Sequence, residues 1–134
     1  MSGRRTRRRQ RRGPYRHREY GPRQAEELVE IDAVLRKASE LVAAVARDIE
    51  EVSPDDQVMT AEQCLRAFII KEMNEYDYAT LEQKLADSRG YERFCGTDAL
   101  GQGVRTRATL EAYLERISPT TIETLHATLM KSRE

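Results

Sequence analysis

A seam of apolar residues runs through 24–52 with no glycine or proline to break it: Leu28, Ile31, Leu35, Ala38, Val42, Val45, Ile49 and Val52. Spacings of three and four keep one side chain per turn on the same side of a helix. The pattern therefore predicts one long helix over residues 24–52. A helix with such a stripe has to cover it. Val29, Val34 and Leu41 widen the stripe, and a wide stripe suits packing on a globular body better than a two-stranded coiled coil. A second copy or another chain could still take the seam, so a dimer through residues 28–52 stays open.

Beyond the seam, helix starts recur at short intervals. After the turn "SPDDQVM" (53–59), Thr60 and Gln63 form a capping box that opens a helix to about Glu75, with Leu65, Phe68, Ile69 and Met73 inward. Asp77 is an expected N-cap for a short helix carrying Tyr78, Leu81 and Leu85. Ser88 can cap a shorter one with Tyr91 and Phe94 inward, and Gly96 stands where a C-cap glycine belongs. "TDALGQG" (97–103) reads as a loop. It is no phosphate cradle, since no strand precedes it and no Gly-Lys-Ser/Thr follows. Thr106 caps a helix with Leu110, Tyr113, Leu114 and Ile117 on one face. Ser118 and Pro119 then end it and start another, with Ile122, Leu125 and Leu129 inward. No segment alternates like a strand. The expected fold is all-α: a small bundle of about five helices, helix-turn-helix-like at its C-terminal end, with short helices over 60–131.

The formal net charge is zero, but it hides two opposed segments. Residues 1–23 hold ten arginines against Glu19 alone, a balance of +9, and the rest of the chain carries −9. Seven of the arginines, Arg4, Arg5, Arg7, Arg8, Arg9, Arg11 and Arg12, fall in "RRTRRRQRR", similar to the arginine-rich peptides of RNA-binding proteins. With Pro14 and Pro22 and no apolar period, residues 1–23 read as a disordered arm for nucleic acid. Cys64 and Cys95 match no metal-ligand spacing, and His17 and His126 lie far apart. No metal or other cofactor is expected, and the thiols read as buried hydrophobes in a reducing cytosol. "LVAAVA" (41–46) is the longest apolar run, too short to span a bilayer, and no apolar segment follows the basic start as a secretory signal would require.

The blocks "MTAEQCLRAFIIKEMNEYDYATLEQKLADSRGYERFCG" and "VRTRATLEAYLERISPTTIETLHATLM" resemble the N-terminal domain of bacterial insertion-sequence transposases, close to the ISNCY group. The resemblance covers about residues 59–130, and 28–52 more loosely. It rests on T-x-E-Q-x-L-R at a helix start, L-x-x-x-L-A-D-S, an aromatic knuckle ending in Phe, and a T-L helix ending in R-I-S-P-x-T. It implies an all-α, DNA-binding domain in the bacterial cytoplasm, associated with the nucleoid and with transposon ends. The family's nuclease uses three carboxylates on an RNase H-like fold to hold metal ions. No such fold fits within this sequence, so no catalytic residue is expected here. Glu50, Glu51, Asp55 and Asp56 read as a solvated face. Two rivals stand beside this reading: a dimerising regulator of a full-length transposase, and an RNA-binding protein in which only the arm matters.

Two sets of body residues are candidates for DNA. If the Thr106-capped helix enters a major groove, Arg105 and Arg107 approach base edges and Thr109 and Arg116 flank them on phosphates. Glu111 and Glu115 oppose this, since they share the outer face with Ala108 and Ala112. Otherwise the arm, Arg66, Lys71, Arg89 and Arg93 meet the DNA.

Overall fold

A computed structural model of the chain describes residues 13–52, 59–96 and 106–133. Arg4 to Arg12, Asp55, Asp56 and Arg105 lie outside them. The described residues form seven helices and no strand. The all-α expectation holds, with more and shorter helices than the five anticipated.

The seam does not form one helix. It divides into α1 (Pro22–Arg36) and α2 (Ser39–Asp48), with Lys37 and Ala38 between them. The reason lies in what the seam covers. Leu28, Ile31, Leu35, Ala38, Leu41, Val45 and Ile49 are all buried in the common core, on both sides of the break. Turning at Lys37 lets α1 pack on helices that a straight rod would pass by. Both halves thus meet their own chain, and the seam residues are covered without a second copy. Val29 is the exception: expected inward, it is 70% exposed.

Residues 13–23 are not a disordered arm. Pro22 does not break a helix but opens α1 at its first position, where a missing N–H costs nothing. Residues 13–21 form a strap bound to the body, with Tyr15 buried.

The middle of the bundle is α3 (Ala61–Asn74), which packs against α2 and against α4 (Tyr78–Asp87), α5 (Arg89–Cys95) and α6 (Arg107–Leu114). Its capping box is formed in both directions: Thr60 Oγ1 accepts from the Gln63 N–H, and the Gln63 side chain accepts from the Thr60 N–H. Asp77, Ser88, Thr106 and Ser118 cap α4, α5, α6 and α7 (Pro119–Lys131) through their side chains. Gly96 closes α5 at φ 76°, a left-handed conformation that a side chain would strain.

The two C-terminal helices are joined by a short turn, as expected, but they do not pack against each other. Helix α6 lies on α3 and α4, while α7 lies on α1 and α2. Asp48 fixes the latter by accepting from the Ser118 N–H and the Thr121 hydroxyl, at 3.0 and 2.7 Å. The mutual packing of a helix-turn-helix reader is therefore not made by this pair. Among the described residues no helix is long and apolar enough to cross a membrane.

Candidate nucleic-acid interface

Helix α5 is only seven residues long, and its inner face explains how so short a helix is held. Tyr91, Phe94 and Cys95 are buried, which leaves Arg89 and Arg93, four apart, to point outward. The Tyr91 ring anchors the helix as its spacing predicts, and its hydroxyl has a second task. It accepts from Asn74 Nδ2 at 3.0 Å and donates to Gln24 Oε1, while Gln24 Nε2 donates to Asn74 Oδ1 at 2.9 Å. Three buried polar side chains from α1, α3 and α5 thus close a ring. Burial pushes the Tyr91 phenol above its usual range, so it stays protonated and able to donate. No sequence signal singled out Gln24 and Asn74.

The strap is tied into the same ring. The Glu19 N–H donates to Asn74 Oδ1 at 2.8 Å and Arg18 Nε to the Asn74 carbonyl at 2.9 Å. Further along, Glu27 is 2% exposed. Its carboxylate meets the N–H groups of Arg16 and His17, the His17 ring and the Arg133 guanidinium, all at 2.9–3.0 Å. A buried carboxylate is tolerable only when donors surround it in this way. Tyr15 packs edge-on to His126 of α7, with ring centroids 6.2 Å apart.

His126 faces Glu72 at 2.8 Å. That hydrogen bond, outweighing the opposing effect of burial, raises the imidazole pKa above 6.5. The group's folded pKa is the higher one, so its contribution to stability is complete below about pH 6.5 and is lost as pH rises past the folded value. The melting advantage of the wild type over His126→Gln should accordingly shrink between about pH 6 and pH 9. An advantage constant across that range would show that the ion pair contributes nothing.

The structure separates the arginines proposed for DNA. Arg89 and Arg93 are exposed together on α5, with no ion pair or side-chain hydrogen bond to any described residue. Arg66 does not belong with them: its side chain is 7% exposed. The guanidinium donates to Asp32 at 2.7 Å, Glu62 at 3.2 Å and the Phe94 carbonyl at 3.1 Å, and lies over the Phe94 ring. It is a structural cation. Burial would lift the Asp32 carboxyl, but hydrogen bonds from Arg36 and Arg66 hold it below the usual carboxylate range. Lys71 sits over the Tyr78 ring at 4.6 Å.

The other set is on α6. Arg107 is exposed at its start, and its backbone N–H donates to Glu82 at 3.1 Å. Thr109 is engaged with the Thr106 cap. Arg116, past the helix end, pairs with Glu51 at 3.1 Å. Glu111 and Glu115 are exposed on the outer face as expected, and Glu115 accepts from the Tyr78 hydroxyl. Helices α5 and α6 do not pack together, although both lie on α3 and α4. Both cysteines are buried, with burial raising each thiol to about 12. Among the described residues no three metal-ligating side chains converge. No family model, curated protein or solved structure matches this chain.

Proposed function

We propose that the chain is the DNA-binding N-terminal part of an insertion-sequence transposase. The observation that carries this reading is where the blocks of the resemblance fall. Thr60 and Gln63 are the capping box of α3, Leu85 is core, Ser88 caps α5, Phe94 is buried beneath it, and Ser118 and Pro119 open α7. The resembling residues are thus caps and anchors of a single fold rather than scattered surface positions. In this reading the run of seven arginines in 4–12 supplies sequence-independent affinity, and the body carries it at the end of a fastened strap. The acidic outer face of α6 turns toward solvent, and the α5 side with Arg89 and Arg93 turns toward DNA. The function assigned is binding, with no part in phosphodiester cleavage.

Salt dependence tests it. If about six arginines neutralise phosphates, the logarithm of the association constant should fall against log salt with a slope of roughly −5. Deleting residues 1–12 should flatten that slope for element-end and random duplexes alike. An unchanged slope would refute the role of the arm, and absence of duplex binding would refute the whole reading.

A further inference from the structure

We infer that the groove between α1 and α5 takes single-stranded DNA, with a base on Tyr20 and its phosphates between Arg36 and Arg93. The inference rests on the DNA-binding reading above and names the part of the body that engages unpaired strand.

The groove has a volume of about 370 Å³ and is lined by Tyr20, Leu28, Val29, Arg36, Arg93 and Phe94 among others. Its aromatic is both exposed and held. Tyr20 is 48% exposed, yet its ring stands edge-on to Tyr91 with centroids 5.1 Å apart. It lies across Gly90, where a Cβ would fall 2.2 Å from the tyrosine hydroxyl. The preceding residue, Glu19, adopts φ 71°, a left-handed conformation that strains a non-glycine residue. Its N–H is held by the buried Asn74. Backbone strain, a glycine seat and an aromatic neighbour together fix a tyrosine whose open side faces solvent. A core anchor would not need to remain half exposed, and a merely solvated residue would not need the seat.

The charge around it suits phosphate. Among the described residues Asp32 is the one acid lining the groove; Arg66 holds it at 2.7 Å from the buried side, and Arg36, bonded to it at 2.8 Å, stays largely exposed at the rim with further N–H groups to offer a phosphate. Arg93 on the opposite wall has no acidic partner among the described residues. Stacking requires the open face of a base, which duplex neighbours cover, so this arrangement selects unpaired strand. Tyr20 also follows Arg12, the last arginine of the cationic run, by eight residues. The strap therefore leads directly from the arm to the groove.

The test is fluorescence anisotropy of the full chain with a labelled oligothymidylate and with a duplex of equal length. Tyr20→Ala should weaken oligothymidylate binding about tenfold, the scale of one lost base stack, and leave duplex binding unchanged. Tyr20→Phe, which keeps the ring, should restore it. Arg93→Ala, at an exposed side chain with no ion pair to any described residue, should weaken it several-fold and supplies the answer if Tyr20→Ala does not fold. Oligothymidylate binding within twofold of wild type in a folded Tyr20→Ala, or in Arg93→Ala where Tyr20→Ala does not fold, overturns the inference. So does a wild type that binds duplex but no single strand, which leaves the DNA-binding reading intact. Binding of neither DNA removes both. A concentration-dependent dimer abolished by Val29→Asp would give the groove to a second copy, and the inference would again fall.

Discussion

Leu35→Asp should unfold much of the population at temperatures where the wild type is folded. Leu35 is 4% exposed at the last turn of α1, beside the break where the chain turns into α2. The substitution removes a buried leucine, at roughly 2–5 kcal/mol, and places a carboxylate within the apolar core cluster. A small domain has only about 5–15 kcal/mol in total, so a melting-temperature fall of about 10 °C or more follows. Circular dichroism would record it. Sedimentation adds a second discrimination. Because the seam is covered by the chain's own core, the mutant should lose structure without any change from dimer to monomer. A melting point unaffected by the charge would mean that the seam is exposed, and a dimer that dissociates would place it between copies.

Asn74→Ala is the second large effect, and its origin is polar. One amide serves Gln24, Tyr91, the Ile70 carbonyl and the Glu19 N–H. Removing it strands several buried groups, each costing about 1–3 kcal/mol when unsatisfied. A total of roughly 3 kcal/mol is expected, since Gln24 keeps the His17 carbonyl and the Tyr91 hydroxyl. Tyr91→Phe should cost less, and the double variant less than the two together, because both break one ring. Urea unfolding measures all three. The strap provides an independent readout: with Asn74 gone, trypsin should cut after Arg18 sooner than in the wild type. Equal cutting rates, or a loss below about 0.5 kcal/mol, would show that the ring holds nothing.

What the sequence revealed and what it hid divide along chain distance. The caps at Thr60, Asp77, Ser88, Thr106 and Ser118 were legible because each bond closes within three residues. The apolar partners of the core were legible for the same reason, one turn at a time. The break at Lys37 was not, because the seam keeps its spacing across it and contains neither glycine nor proline. The strap was invisible because Glu27 and Asn74 hold it from 10 and 55 residues away. Arg66 illustrates both cases. Its partner Glu62, one turn back, could have been read from the spacing, while Asp32, 34 residues distant, is what commits it to the interior. Of the candidate interface, Arg89 and Arg93 were accessible to sequence reasoning as a pair on one short helix. Tyr20 was not, since a tyrosine between two breakers carries no periodic signal.

Ser88 is both the last cap of α4 and the first cap of α5: its N–H donates to the Lys84 carbonyl, and its hydroxyl accepts from the Tyr91 N–H. The two helices share a single residue and have no slack between them. Each is pinned by its own buried face, Leu81 and Leu85 on one side and Tyr91, Phe94 and Cys95 on the other. One residue more or less would ask one helix to turn by about 100° against the other, carrying Tyr91 out of its ring and Arg93 away from the groove. This joint can therefore accept a change of letter, such as threonine for serine, but not a change of length. Any descendant of this chain that keeps its fold must count the same number of residues from Leu85 to Tyr91.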